Sequence, residues 1–188
     1  MNRLPSVLFA RIAAAACCGG LLTLASVASA QGAAPADPAR LHAADQTFIA
    51  DGTQAVATQR DAARIATARS ADRDVKAFAE RVSSDDAKIT DALRAASPRG
   101  VDVPKNDPDA AVLASINNLR GAEFDKKYIE QVALAGEQRA LSAFQAEIAS
   151  GRDEQLKAAA KQALPTIQQH YAMAQDLAKR KHLSVAAQ

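Results

Sequence analysis

DRDVKAFAERVSSDDAKITDALRAA, residues 72–96, is the stretch that decides the fold. Val75, Ala79, Val82, Asp86, Ile89, Leu93 and Ala96 alternate steps of four and three, so all seven share one face of a helix. Phe78 and Ala92 widen that face, which marks it as packed against a core. One member, Asp86, is a carboxylate.

Upstream, Leu41, Phe48, Gly52, Ala55, Gln59, Ala62 and Ala66 trace a second stripe over 41–69, stepping by three or four after a first gap of seven. Downstream, Ser97 to Asp107 holds two prolines and a glycine and cannot continue a helix. Asp107-Pro108 reads as a cap and first helical residue, opening a short helix to Leu119 that Gly121 stops. From Glu123 to Ala149 the residues Phe124, Tyr128, Val132, Gly136, Ala140 and Phe144 recur every four positions, a row that drifts around its helix. Gly151 is expected as a C-terminal glycine and Asp153 as the cap of the last helix. There Leu156, Ala160, Ala163, Ile167, His170, Ala174 and Leu177 again alternate four and three. With no alternating β-branched segment, the pattern predicts an all-α antiparallel four-helix bundle with a short extra helix between helices 2 and 3. Gly52 and Gly136 fall inside helices, where glycine costs about 1 kcal/mol relative to alanine. Each is expected to make room for a close neighbour.

The first 30 residues carry Arg3 and Arg11, an apolar stretch from Ile12 to Val27, and Ala28-Ser29-Ala30. That is the plan of a secretory signal peptide cleaved before Gln31. A linker over 31–40, a bundle over 41–182 and a tail over 183–188 complete the expected organisation. Cleavage removes two of 23 basic residues and none of 21 acids, leaving a charge-balanced mature chain of about 158 residues. Nucleic-acid binders rely on a basic surplus, so nucleic acid is not expected as a partner. Both cysteines, Cys17 and Cys18, leave with the signal, and no disulfide can brace the core. The remainder holds no transmembrane helix, so the expected location is the periplasm or the medium, with association to the outer membrane as a further option.

Each stripe has one member foreign to an alkane core: Gln59, Asp86, Gly136 and His170. All fall near the middle of their helices, so one mid-height layer is expected to gather an amide, a carboxylate, an imidazole and a space, with His170 pairing Asp86. Asp86, His170 and Gln59 are also the candidates for a metal such as iron or zinc, although two firm ligands are fewer than those metals take. No nucleophile and base are paired, no phosphate loop follows a strand, and His42 and His182 lie near the domain ends. The residues point to no catalytic site and no cofactor.

GAEFDKKYIEQV (121–132) reads physically as a helix entrance, with Phe124 and Tyr128 one turn apart and Glu123 and Asp125 in the first turn. Together with DVKAFAERVSSDDAKITDAL (74–93) and LKAAAKQALPTIQQHYAMAQDL (156–177), it resembles the bacterial exported family of domain of unknown function 4142. The resemblance covers 41–180 and implies a ferritin-like bundle, often labelled an outer-membrane protein. The family commonly places glutamate in the first helix, Asp-His in the second and histidine in the third. This chain has Gln59, Asp85-Asp86 and Gly136 there, and His170 alone matches. The expected role is a non-catalytic envelope protein, a binding or stress-related module with an unnamed envelope partner and an open oligomeric state. The alternative is a metal-binding or redox protein on the same scaffold.

Overall fold

The computed structural model describes residues 41–101, 103 and 107–183. The expected signal peptide, the linker and most of the tail lie outside them. All regular structure among the described residues is helical. A first rod runs through α1 (Ala43–Thr47), a π-helical turn (Phe48–Gly52) and α2 (Thr53–Arg69). The second rod is α3 (Arg73–Ala95), and a short helix α4 (Ala110–Asn117) follows. The third comprises α5 (Gly121–Lys127), a second π-helical stretch (Tyr128–Leu134) and α6 (Ala135–Ser150), and the fourth is α7 (Glu154–Arg180).

Aspartates open three of these helices. Asp72 accepts from the amides of Asp74 and Val75, Asp109 from those of Ala111 and Val112, and Asp153 from those of Gln155 and Leu156. Each thereby satisfies donors that the first turn cannot pair internally. The cap of α4 is therefore Asp109 and not Asp107, because Asp109 also anchors to the first rod, its amide donating to Thr58 Oγ1 at 2.8 Å. The short helix is correspondingly briefer than its apolar pattern suggests.

Rod one packs along rod two and rod three along rod four, while α7 also meets α3 and α6 meets α2. The buried apolar residues divide into two clusters. One gathers Ala66, Val75, Phe78, Phe124, Tyr128 and Leu177, and the other gathers Phe48, Ile89, Leu93, Phe144, Leu156 and Ile167. Phe124 and Tyr128 stack with centroids 6.0 Å apart, and Phe78 meets Tyr128 edge-on at 6.3 Å. The entrance of rod three is thus an aromatic plug, and Ser70 Oγ ties it to rod one by donating to Asp125 at 2.6 Å.

The interior glycines do make room. A Cβ on Gly52 would lie 2.6 Å from the Phe48 ring, and one on Gly136 would lie 2.6 Å from Gln59 Nε2. Gly151 closes α6 as expected, its amide donating to the Glu147 carbonyl, but its backbone is extended at φ −62°, so no left-handed turn requires it. It is small because Glu147 Oε1 would sit 2.3 Å from a Cβ there. Gly121, with φ +58°, opens the third rod as well as ending the preceding link. Among the described residues no helix is long and apolar enough to cross a membrane.

Candidate functional site

Between the two apolar clusters lies a polar layer. Along rod one, Gln59 falls between Val56 and Ala62; along α3, Asp86 falls between Val82 and Ile89; along α7, His170 falls between Ile167 and Ala174. Rod three contributes Glu137, between Leu134 and Ala140, which the sequence reading passed over. Asp86, Glu137 and His170 are at most 3% exposed.

His170 is the hub of the layer. Its Nε2 faces Asp85 Oδ2 at 3.3 Å, and its Nδ1 faces Glu137 Oε1 at 3.6 Å and Asp86 Oδ1 at 3.9 Å. The expected partner, Asp86, is therefore displaced by its neighbour. Adjacent residues on a helix point about 100° apart, so Asp86 looks into the bundle while Asp85 lies at its edge. There Asp85 also meets Arg81 and Lys88, the latter at 2.9 Å. Burial pushes the Asp85 carboxyl up, but hydrogen bonds from Lys88, Arg81 and His170 outweigh it and hold the group at about 2. A carboxylate fixed as an acceptor requires a donor from the ring, so Nε2 carries the proton and Nδ1 presents a lone pair inward. Burial also holds the imidazole below its ordinary value, against the pull of Asp85.

That lone pair meets two carboxyl groups. Burial, reinforced by the charge of Asp85, raises Asp86 well above the usual carboxylate range, and burial with the charge of Asp86 does the same to Glu137. Tyr128 is buried beside them and is driven up by burial, then by Glu137 and Asp86, so its hydroxyl stays protonated. Among the described residues, Asp86 Oδ2, Glu137 Oε1 and His170 Nδ1 are all buried without a hydrogen-bond partner. Unpaired buried polar atoms are costly, and three in one layer call for an explanation besides packing.

Gln59 serves a different purpose. Its Nε2 donates to the Val132 carbonyl at 3.0 Å, within the π-helical stretch, and its amide fills the space left at Gly136. A Gly136→Ala variant is expected to lose about 1–3 kcal/mol from overpacking, less what alanine gains over glycine in a helix. Adding Gln59→Ala should restore most of it in urea unfolding. A loss below about 0.5 kcal/mol would mean that Gln59 swings aside without cost. A cleft of about 810 Å³ opens next to this contact, among Phe48, Thr58, Gln59, Val132, Gly136 and Ala143. Glu137 directly follows Gly136, one of its lining residues.

A family model described as domain of unknown function 4142 matches residues 30–177, most of the chain. The protein belongs to this family. In fold, the DUF4142 domain is similar to the crystal structure of a candidate secreted protein, DUF305, from Streptomyces coelicolor. The two are 15% identical, with a TM-score of 0.59, over 77% of this chain and 96% of that one. No curated protein matches the chain. The inward stripes offered Asp86 and His170 as candidates, the DUF4142 pattern matched His170 alone, and neither pointed to Glu137. The signal was available, since Ala133, Glu137, Ala140, Phe144 and Glu147 alternate four and three once the row is allowed to slip by one residue after Tyr128.

Proposed function

We propose that this DUF4142 domain is an exported, non-catalytic binding module with ferritin-like antiparallel topology, whose ligand is one divalent transition-metal ion held by Asp86, Glu137 and His170. The observation that carries this is the set of three buried, partnerless atoms, Asp86 Oδ2, Glu137 Oε1 and His170 Nδ1.

The donor types suit such an ion. Zinc takes imidazole nitrogen and carboxylate oxygen at about 2.0–2.2 Å, which sets neighbouring donors roughly 3–3.5 Å apart. Nδ1 stands 3.6 and 3.9 Å from its two carboxyl neighbours, slightly wider than that. Among the described residues no group of three histidine, cysteine, aspartate or glutamate side chains is placed to hold a metal ion, so binding requires the Asp86 and Glu137 carboxyls to turn towards Nδ1. Two carboxylates and a neutral ring balance one divalent charge, which is what a dry layer needs. Mixed nitrogen and oxygen ligation suits iron, zinc or manganese. When bound, the ion supplies positive charge where two protons would otherwise be needed. Asp85 then acts as the outer carboxylate that orients the ring through Nε2, and Gln59 and Gly136 hold rod three at the spacing that brings Glu137 inward.

Osmotic shock of native cells should release a chain beginning at Gln31 with near-stoichiometric iron, zinc or manganese, lost in Asp86→Ala, Glu137→Ala and His170→Ala variants that remain folded. Metal-free protein should gain about 2.7 kcal/mol when the right ion is supplied at a hundred times its Kd. Metal-free native protein, unshifted by any of the three ions, would leave a proton-held structural layer. The role would then be that of an envelope binding or stress-related module without metal. An uncleaved cytosolic chain would remove the export half of the proposal.

A further inference from the structure

A second buried carboxyl pair sits at one end of the molecule, separate from the polar layer. Asp45, in the first turn of rod one, is 1% exposed, and so is Glu147, near the end of α6. Asp45 Oδ1 accepts from the amides of Arg152 at 2.7 Å and Asp153 at 3.0 Å, the link between α6 and α7. It thus clasps the start of the chain's helical part to a connection more than a hundred residues away. Glu147 fills the space that Gly151 leaves, beside the Arg152 and Asp153 amides that Asp45 accepts from, and among the described residues neither of its oxygens has a hydrogen-bond partner.

We propose that Glu147 and Asp45 form a proton-operated latch, fastening the first helical turn to the α6–α7 link in acid and loosening it as the medium turns neutral. Two carboxyl groups in contact share a proton readily, because one donates while the other accepts, whereas two carboxylates repel. Asp45 is the acceptor: burial raises it, but the Asp153 and Arg152 amides outweigh that, so it stays ionised and below its ordinary value. Glu147 is the proton carrier, pushed up to about 7 by burial first and then by the neighbouring Asp45 and the charge of Asp153. The other charges facing the pair are Lys157 on α7, which pulls Glu147 down, and His42, which favours the Asp45 carboxylate when protonated. Glu147 has a folded-state value above its ordinary 4.5. Its contribution is therefore complete below about 4.5 and is lost as pH rises through about 7. The turn it releases, Ala43–Thr47, forms one wall of the cleft, so unfastening also widens the cleft's mouth.

The test uses the whole mature chain. Between pH 5 and pH 8 the wild-type Tm should fall by roughly 5–10 °C more than that of Glu147→Gln, whose amide donates to Asp45 at every pH. Taking the difference cancels His42 and the polar layer. Amide exchange at Arg152 and Asp153, corrected for its intrinsic pH dependence, should be at least tenfold faster at pH 8 than at pH 5 in wild type and unchanged in Glu147→Gln. Should that variant fail to fold, the Glu147 side-chain carbon resonance in wild type decides, with a midpoint near 7 expected. A midpoint near 4.5, equal protection of the two amides at both pH values, or a Glu147→Gln variant keeping the wild-type slope would each overturn the latch.

Discussion

His170→Ala is expected to be the most damaging single substitution in the polar layer, lowering stability by about 3 kcal/mol or more. The side chain is fully buried, bonded to Asp85 and flanked by Asp86 and Glu137. Its removal leaves a hole between the two apolar clusters and deepens the isolation of both carboxyls. For a domain of this size such a loss corresponds to a fall in Tm of roughly 6–12 °C. Asp85→Ala should cost less, about 1–3 kcal/mol. It orphans only the ring N–H, and Arg81 and Lys88 return to water. Calorimetry of metal-free protein measures both, and a His170→Ala loss no larger than that of Asp85→Ala would show that the ring is not the hub.

The second large effect is a gain. An Asp86→Asn, Glu137→Gln double variant should be as stable as metal-free wild type at about pH 3.5 and more stable by about 2 kcal/mol or more at pH 8. Both carboxyls have folded-state values raised by burial and by mutual or neighbouring charge. Their contribution is therefore intact in acid and lost as pH rises above the ordinary carboxylate range, and amides cannot ionise. The same variant should lose all response to added iron, zinc or manganese. Asp85 has the opposite sign: held at about 2, it contributes above the ordinary carboxylate range and is lost only as pH falls towards 2. Equal pH profiles for wild type and the double variant would place the two carboxyls in water.

The helices were legible because alanine, valine and leucine at steps of four and three leave little choice of face. Asp86 and His170 stood out as polar members of otherwise apolar rows, and both do lie between the clusters. Two kinds of residue were hidden. Glu137 and Glu147 sit on a rod whose periodicity slips at Tyr128–Leu134, so a strict row ran through Gly136 and left both glutamates off the inward face. Asp45 was hidden differently, since a carboxylate in a first turn reads as a favourable charge near a helix start, and only tertiary structure shows it reaching Arg152 and Asp153. The choice of Asp85 over Asp86 as the ring's bonded partner likewise depends on rotation about α3, which residue spacing leaves open between neighbours.

The π-helical stretches give the two rods that carry them a property best put in terms of phase. A π turn holds one residue more than the α-helix on either side, and each added residue turns the downstream helix by about 100°. Tyr128–Leu134 therefore works as a phase shifter, setting the angle at which α6 presents its side chains independently of the angle at which the aromatic plug docks α5. Phe48–Gly52 does the same between the Asp45 clasp and the Gln59 contact. Deleting a single residue within 130–134 would leave a continuous, more regular helix and an intact plug, yet swing Glu137 and Glu147 out of the interior together. One extra residue in the helical thread thus keeps both carboxyl sites in register with their partners, and they can only be lost or kept as a pair.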